Sequence, residues 1–164
     1  MDSSAQTMPA VTTLVRAAFL VDAVYAESAR EHGLTQQQGQ LLCVLMARPI
    51  GMRELGSMLR LAKSSLTGLV DRTERNGLIR REPDSKDQRA VRVSLTPRGR
   101  ALVGPFYRDT CDRIERLTDT LDDAGRDALA ALLGQVVERN HVPALFAGPG
   151  ATASGPTAAD PTGA

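Results

Sequence analysis

The sequence predicts a mainly α-helical chain with one small β-hairpin, the layout of a winged helix-turn-helix carrying extra helices at both ends. Three observations lead there. Between Leu55 and Arg100, a short helical pattern, a tight turn and a second amphipathic pattern run into alternating apolar and basic residues that stop at Thr96-Pro97, a helix-start signal. That stretch also holds the positive charge: Met52 to Arg100 contains twelve basic and six acidic side chains, while the whole 164-residue chain carries only +1 and its remainder is net acidic. Outside this segment, apolar residues return at helical spacing in further long stretches.

Residues 1–9 show no periodicity and are expected to be a flexible N-terminus, with one domain over 10–147 and a disordered tail over 148–164. The tail holds Gly, Ala, Pro, Thr and Ser without a large apolar side chain, so it has no burial to offset its ordering entropy. Val11, Leu14, Val15, Ala18, Val21 and Tyr25 form a helical stripe, and that first helix is expected to stop at Gly33. Thr35 with Gln38 three residues on is a capping-box pattern. The helix it opens holds Leu41, Leu42, Val44, Leu45 and Met46, apolar almost all round, which predicts a central position before Pro49 and Gly51 end it.

A short third helix is expected over 53–59, with Leu55, Met58 and Leu59 inward. The fourth spans Lys63 to Asn76 and closes on Gly77. Its inward stripe is Leu66, Leu69, Val70 and Thr73, which leaves Ser64, Ser65, Thr67, Gly68 and Arg72 on the opposite side. In the hairpin, Leu78 to Arg81 is one strand; in the other, Val91, Val93 and Leu95 alternate with Arg92 and Ser94, which predicts one buried face. A long helix starts at Pro97 and carries Val103, Phe106, Thr110, Ile114, Leu117 and Leu121. Asp122 or Asp123 caps a last helix with Leu129, Leu132, Leu133, Val136 and Val137 on one face. The helix-turn-helix and wing thus occupy about 35–100, and the flanking helices about 10–33 and 97–140.

Several function classes find no support. No apolar stretch reaches the ~18 residues that a membrane helix needs, and the N-terminus lacks a basic region leading into an apolar one, so the expected location is cytoplasmic, with no membrane partner. Cys43 and Cys111 sit in apolar helical patterns and read as buried thiols of a reducing compartment; a redox pair is the minor alternative. His32 and His141 have no companions at metal-ligand spacing, so no metal is expected. No nucleophile–base pair, phosphate loop or carboxylate pair suggests catalysis, so no catalytic residue and no cofactor are assigned. With 3% aromatics, stacking platforms for single-stranded nucleic acid are not expected.

What remains is duplex DNA. A helix backed by an apolar partner can enter the major groove, and a basic hairpin beside it can follow the phosphates or enter the minor groove. The flanking apolar stripes exceed what a small DNA-binding core needs to cover itself. Self-association through Val11 and Leu14 on the first helix, and Leu129, Leu132, Leu133 and Val136 on the last, is the simplest way to bury them.

The stretches L-T-G-L-V-D-R-T-E-R-N-G-L-I-R-R and D-Q-R-A-V-R-V-S-L-T-P-R-G-R resemble the recognition helix and wing of the MarR family of bacterial transcriptional regulators, and the likeness extends over about 11–137. The resemblance implies a homodimeric repressor that binds a pseudo-palindromic double-stranded operator and releases it on binding a small aromatic or phenolic effector. It also implies DNA contacts from Lys63, Ser64, Ser65, Thr67, Gly68 and Arg72 on the recognition helix and from Lys86, Asp87 and Arg89 on the wing, where Arg89 enters the minor groove braced by Asp87. The effector pocket it implies lies near Phe19, Tyr25, Met46 and Phe106, residues that also suit plain core. Gly68 stands where many members have Arg, and Gln88 where many have a second wing arginine. Two alternatives stay open: an adaptor that has kept the fold without DNA binding, and a thiol-based redox-sensing regulator using Cys43 or Cys111.

Overall fold

Local capping chemistry sets the helix boundaries. In the computed structural model, which describes residues 8–84 and 90–143, helix α1 spans Ala10–Glu31 and is followed by Gly33 at a φ of +69°, a left-handed conformation that glycine adopts at no steric cost. Helix α2, Gln36–Val44, opens with a full capping box: the Gln38 amide donates to Thr35 Oγ1 (3.2 Å), and the Thr35 amide donates to Gln38 Oε1 (3.0 Å). Strand β1, Ile50–Gly51, leads directly into α3, Met52–Leu59. Helix α4, Lys63–Arg75, is followed by β2, Ile79–Pro83, and β3, Val91–Leu95. Helix α5, Pro97–Arg116, has Pro97 at its first position, where the missing N–H costs nothing, and Thr96 Oγ1 accepts from the Gly99 amide at 3.0 Å. Helix α6, Asp123–Arg139, starts on Asp122, whose Oδ1 accepts from the Gly125 amide at 2.8 Å.

The core lies where α2 meets its neighbours. Leu41, Leu42 and Leu45 are essentially inaccessible and pack with Leu55 of α3, Leu69 and Val70 of α4, and Val103 and Phe106 of α5. Gly39 lets α5 approach closely, since a Cβ there would stand 2.6 Å from the Phe106 ring. The expected helical fold with a small β element is present, and the sheet has one strand more than the sequence suggested. The order is β1-β3-β2, all antiparallel, with Ile50 opposite Val93 and Arg81 opposite Val93 on the other side. Helix α2 ends earlier than expected, at Val44 with Leu45 as its C-cap, so Leu45 and Met46 lie in the turn beyond it, and Ile50 and Gly51 pair with Val93 and Arg92.

Three local expectations change. Alternation along β3 fails: Val91 is 43% exposed, whereas Ser94 is buried, its hydroxyl 3.3 Å from Arg80 Nε. As the central strand, β3 is covered along its inner end, while Val91 faces Pro83 at the outer end, beyond the core. Met58 and Leu59 are only half-buried at the core's edge. Leu117 and Leu121 leave α5 altogether; Thr118 Oγ1 bonds the Glu115 carbonyl, the helix ends in a turn, and both leucines are exposed.

Only the C-terminal part of α1 is anchored, through Tyr25, Ser28 and Ala29. Ser28 Oγ, fully buried, meets Asp109 Oδ2 (2.9 Å) and Thr110 Oγ1 (2.8 Å), and Arg113 joins Asp109 (3.0 Å) to Glu31. The other half of α1 and the whole of α6 stand clear of the body, and α6 has no buried residue. No helix of the described residues is long and apolar enough to cross a membrane.

Candidate nucleic-acid interface

Helix α4 is held from below and left open above. Leu66, Leu69, Val70 and Thr73 are all buried, as their spacing predicts, and the buried Thr73 hydroxyl donates to the Leu69 carbonyl at 2.7 Å. The turn from α3 passes through Arg60, at a φ of +51°, and closes with the Leu61 amide donating to the Gly56 carbonyl at 3.0 Å. This fixes the angle at which α4 leaves the body.

The opposite face of α4 presents Lys63, Ser64, Ser65, Thr67 and Arg72 to solvent, with Gly68 half-buried between them. The N-cap residue Ala62 supplies no side-chain acceptor, so the first-turn amides keep their donors for another partner, such as a phosphate oxygen. Thr67 spends its hydroxyl proton on the Lys63 carbonyl (2.9 Å), which leaves an acceptor oxygen and a methyl group facing outward. A Cβ at Gly68 would meet Arg72 Nη1 at 3.2 Å, so the guanidinium of Arg72 leans back over Gly68. The space left by the missing side chain is filled by the arginine one turn later. Lys63 and Arg72 have no carboxylate partner among the described residues.

The wing base is tied to α4 and to β1. Arg81 hydrogen-bonds Asp71 (2.5 Å) and Glu74, and its amide also donates to Glu74 Oε1 at 2.9 Å. This arginine is therefore a brace between β2 and α4. Arg92 donates to the Pro49 carbonyl at 2.6 Å and lies 3.5 Å from Asp84 Oδ2. The Asp84 amide donates to the Ala90 carbonyl at 2.9 Å and frames the hairpin's end. Lys86, Asp87 and Arg89, with Gln88, lie outside the described residues.

The four residues expected around an effector do not share one space. Tyr25 and Phe106 are buried and pack edge to face, with ring centroids 5.7 Å apart, and Met46 lies at the core's edge. Phe19 is 71% exposed and sits with Arg16 and Leu20 on a separate surface. Phe19 and Tyr25 are six residues apart, roughly 240° around the helix, so they point to different sides. Cys43 Sγ lies 3.6 Å from the Tyr25 hydroxyl, and burial pushes its thiol up to about 11, which keeps it protonated near neutral pH. Cys111 is half-buried on α5. Of the self-association residues, Val11 is 74% exposed and Leu132 is 64% exposed; Leu14, Leu129, Leu133 and Val136 are exposed as well.

Comparison with known proteins agrees with this geometry. Residues 32–90 match the model of the MarR family. The chain is 34% identical over 106 residues to an uncharacterized HTH-type transcriptional regulator, YkoM, of Bacillus subtilis (strain 168), covering 64% of this chain and 69% of that one. Among solved structures it is similar to the transcriptional repressor CouR bound to a 23-mer DNA duplex, with a TM-score of 0.66, 28% identity, and coverage of 76% of this chain and 89% of that one. It is also similar to BpsR of Bordetella bronchiseptica, whose structure concerns regulation of DNA binding by 6-hydroxynicotinic acid, with a TM-score of 0.67, 25% identity, and coverage of 79% and 98%.

Proposed function

This chain belongs to the MarR family of transcriptional regulators, and on that premise we propose that it binds double-stranded operator DNA as a homodimer and represses transcription until a small molecule releases it. The observation that carries the proposal is the outward face of α4, where Lys63, Ser64, Ser65, Thr67 and Arg72 are exposed around Gly68 on a helix whose opposite face is fully buried. Thr67 offers a methyl group suited to the thymine methyl and an oxygen that accepts from adenine or cytosine amines. Arg72 supplies a guanidinium suited to the guanine edge or a phosphate. The open amides of the first turn favour a phosphate at the same end. By the family resemblance, Lys86 and Arg89 are assigned the neighbouring phosphates and the minor groove.

Two α4 helices on a two-fold axis address two half-sites, and the uncovered apolar residues of α1 and α6 are the surfaces proposed to create that axis. The solved relatives support both parts of the mechanism, one by its DNA duplex and the other by its small acidic ligand. The unpaired, basic face of α4 favours this reading over an adaptor without DNA binding, and the protonated, buried Cys43 favours a ligand over thiol oxidation as the releasing signal. The test is fluorescence anisotropy with the duplex flanking the protein's own gene. Saturable binding that random duplex of equal length competes poorly is the expected result. Equal affinity for both duplexes, or none, refutes the proposal.

A further inference from the structure

Helix α1 leaves the body as a long arm. Every residue from 8 to 23 is exposed, and the burial that holds the helix begins at Tyr25. Val11 and Leu14, two of the residues proposed for self-association, lie on that arm, whereas the recognition helix α4 belongs to the body. From Ser28 back to Val11 the arm extends about 26 Å, at 1.5 Å per residue. A swivel of about 10° where α1 meets α5 carries Val11 by about 4–5 Å, more than the ~3.4 Å between successive base pairs. The angle of this contact therefore decides which half-site separation a pair of chains can span.

Apolar packing alone does not fix such an angle, because it is non-directional. Tyr25 and Ala29 of α1 are buried, and Tyr25 lies edge to face on Phe106 of α5. Two polar ties supply the direction. Ser28 Oγ on α1, fully buried, stands 2.9 Å from Asp109 Oδ2 and 2.8 Å from Thr110 Oγ1 on α5. An ionised carboxylate only accepts, so the Ser28 proton is committed to Asp109. Nearly one turn further along α1, Glu31 accepts from both terminal nitrogens of Arg113, Nη1 at 3.2 Å. The same arginine donates from Nε to Asp109 Oδ1 at 3.0 Å. One tie is a pivot; two ties about 4.5 Å apart along α1 form a fixed edge. The planar fork of Arg113 joins them, holding Glu31 at one end and Asp109 at the other. Arg113 and Asp109 are also better covered than the Arg48–Glu54 pair: their side chains are 21% and 30% exposed, against 49% and 46%.

We propose that Ser28 and Arg113 are positioning residues for operator recognition: with Asp109 and Glu31 they lock the α1–α5 crossing and so set the half-site spacing that the dimer accepts. The inference rests on the proposed dimeric DNA binder, and it concerns which operators are selected. The four side chains act through the direction in which α1 leaves the body, without touching DNA themselves.

The test uses the half-site found in the duplex flanking the protein's own gene. Affinity is measured at fixed salt for two such half-sites at the natural separation, for the same pair moved one base pair closer or further apart, and for a single half-site. The wild type is expected to prefer one spacing by about tenfold or more, the loss that follows when both half-sites cannot be engaged together. In Ser28→Ala and Arg113→Met the preference should shrink to within about threefold, while affinity for the single half-site stays at the wild-type value. Arg113→Lys keeps the charge without the fork and should fall between. Arg48→Met, which removes an exposed ion pair outside α1 and α5, should keep the wild-type preference. A second measurement needs no DNA. Pulsed electron–electron resonance between spin labels at Arg75→Cys, in a chain with Cys43→Ala and Cys111→Ser, should give a broader distance distribution when Ser28→Ala is added. An unchanged spacing preference in Ser28→Ala and Arg113→Met, an equal loss on the single half-site, or an unaltered label distribution overturns the lock. If the wild type pairs but binds no operator, the regulator is refuted while the label distances still decide the lock; a chain that never pairs refutes both.

Discussion

Gly68 looks like a deficit in the sequence, but in the structure it makes room for Arg72. Giving it a side chain should have opposite effects on folding and on DNA binding. Gly68→Ala removes backbone freedom from the unfolded chain and is expected to stabilise α4 by about 0.5–1 kcal/mol. The new Cβ would lie 3.2 Å from Arg72 Nη1, and since that atom is the end of a flexible side chain, the guanidinium swings away. Operator affinity should therefore fall while the melting temperature rises, and anisotropy beside thermal denaturation reads both. Arg72→Ala should cost about 1–3 kcal/mol of operator binding with no loss of stability, since the side chain is exposed. Gly99 is the opposite case. A Cβ there would stand 2.0 Å from the Leu78 carbonyl oxygen, which is backbone and itself accepts the Thr96 amide. Gly99→Ala should lower stability by several times the effect at Gly68, as a fall in the urea midpoint.

Elements that depend on local chemistry were legible in the sequence. The Thr35 cap, the Thr96-Pro97 start, the Asp122 cap and both faces of α4 follow from residues within one or two turns of each other. What depends on distant partners was not. Strand β1 is two residues long, and only its pairing with Val93 and Arg92 makes it a strand. The role of Arg81 depends on where β2 lies against α4. The effector residues came from the family resemblance, and the helical turn sends two of them, Phe19 and Tyr25, to different sides of α1. The Arg81 brace gives a prediction of its own. Arg81→Met should cost only about 1 kcal/mol of stability, since the pair is partly solvated. Its larger effect should be on operator binding, because the wing loses its tie to α4; a double-mutant cycle with Asp71→Asn should show the two changes to be non-additive. The α1–α5 contact has a pH signature. The hydrogen bond from Arg113 holds the Asp109 carboxyl below its usual range, as does that from Ser28. A lowered folded-state pKa means the stabilisation is present above about pH 4 and is lost as the pH falls through the folded value. Asp109→Asn should flatten the acid limb of the stability–pH curve, measured by urea denaturation.

At the scale of the whole molecule, the predictions concern charge and the proposed self-association. If each half of a dimer contacts about three to four phosphates, the logarithm of operator affinity should fall with that of salt concentration at a slope of about −5 to −7. A slope near zero would mean that the basic segment does not meet the DNA backbone. Association is tested on the α6 face, where Leu132 and Val136 are 64% and 44% exposed. Leu132→Asp with Val136→Lys should convert a sedimenting dimer to monomer or to insoluble chain, while a stable wild-type monomer at micromolar concentration would refute the proposed interface.

Helix α6 holds no buried residue, and an isolated helix of about this length is marginal in water. If contact with a second copy is what orders it, mass action enters the folding equilibrium itself. The midpoint of thermal unfolding then rises with protein concentration, and dilution lowers the helical circular dichroism signal by the share that α6 contributes. A cell holding few copies would possess subunits whose ends are unravelled and open to proteases, and one holding many would possess durable pairs. Abundance would thus control lifetime as well as occupancy of the DNA, giving the regulator a threshold written into its folding rather than into its operator.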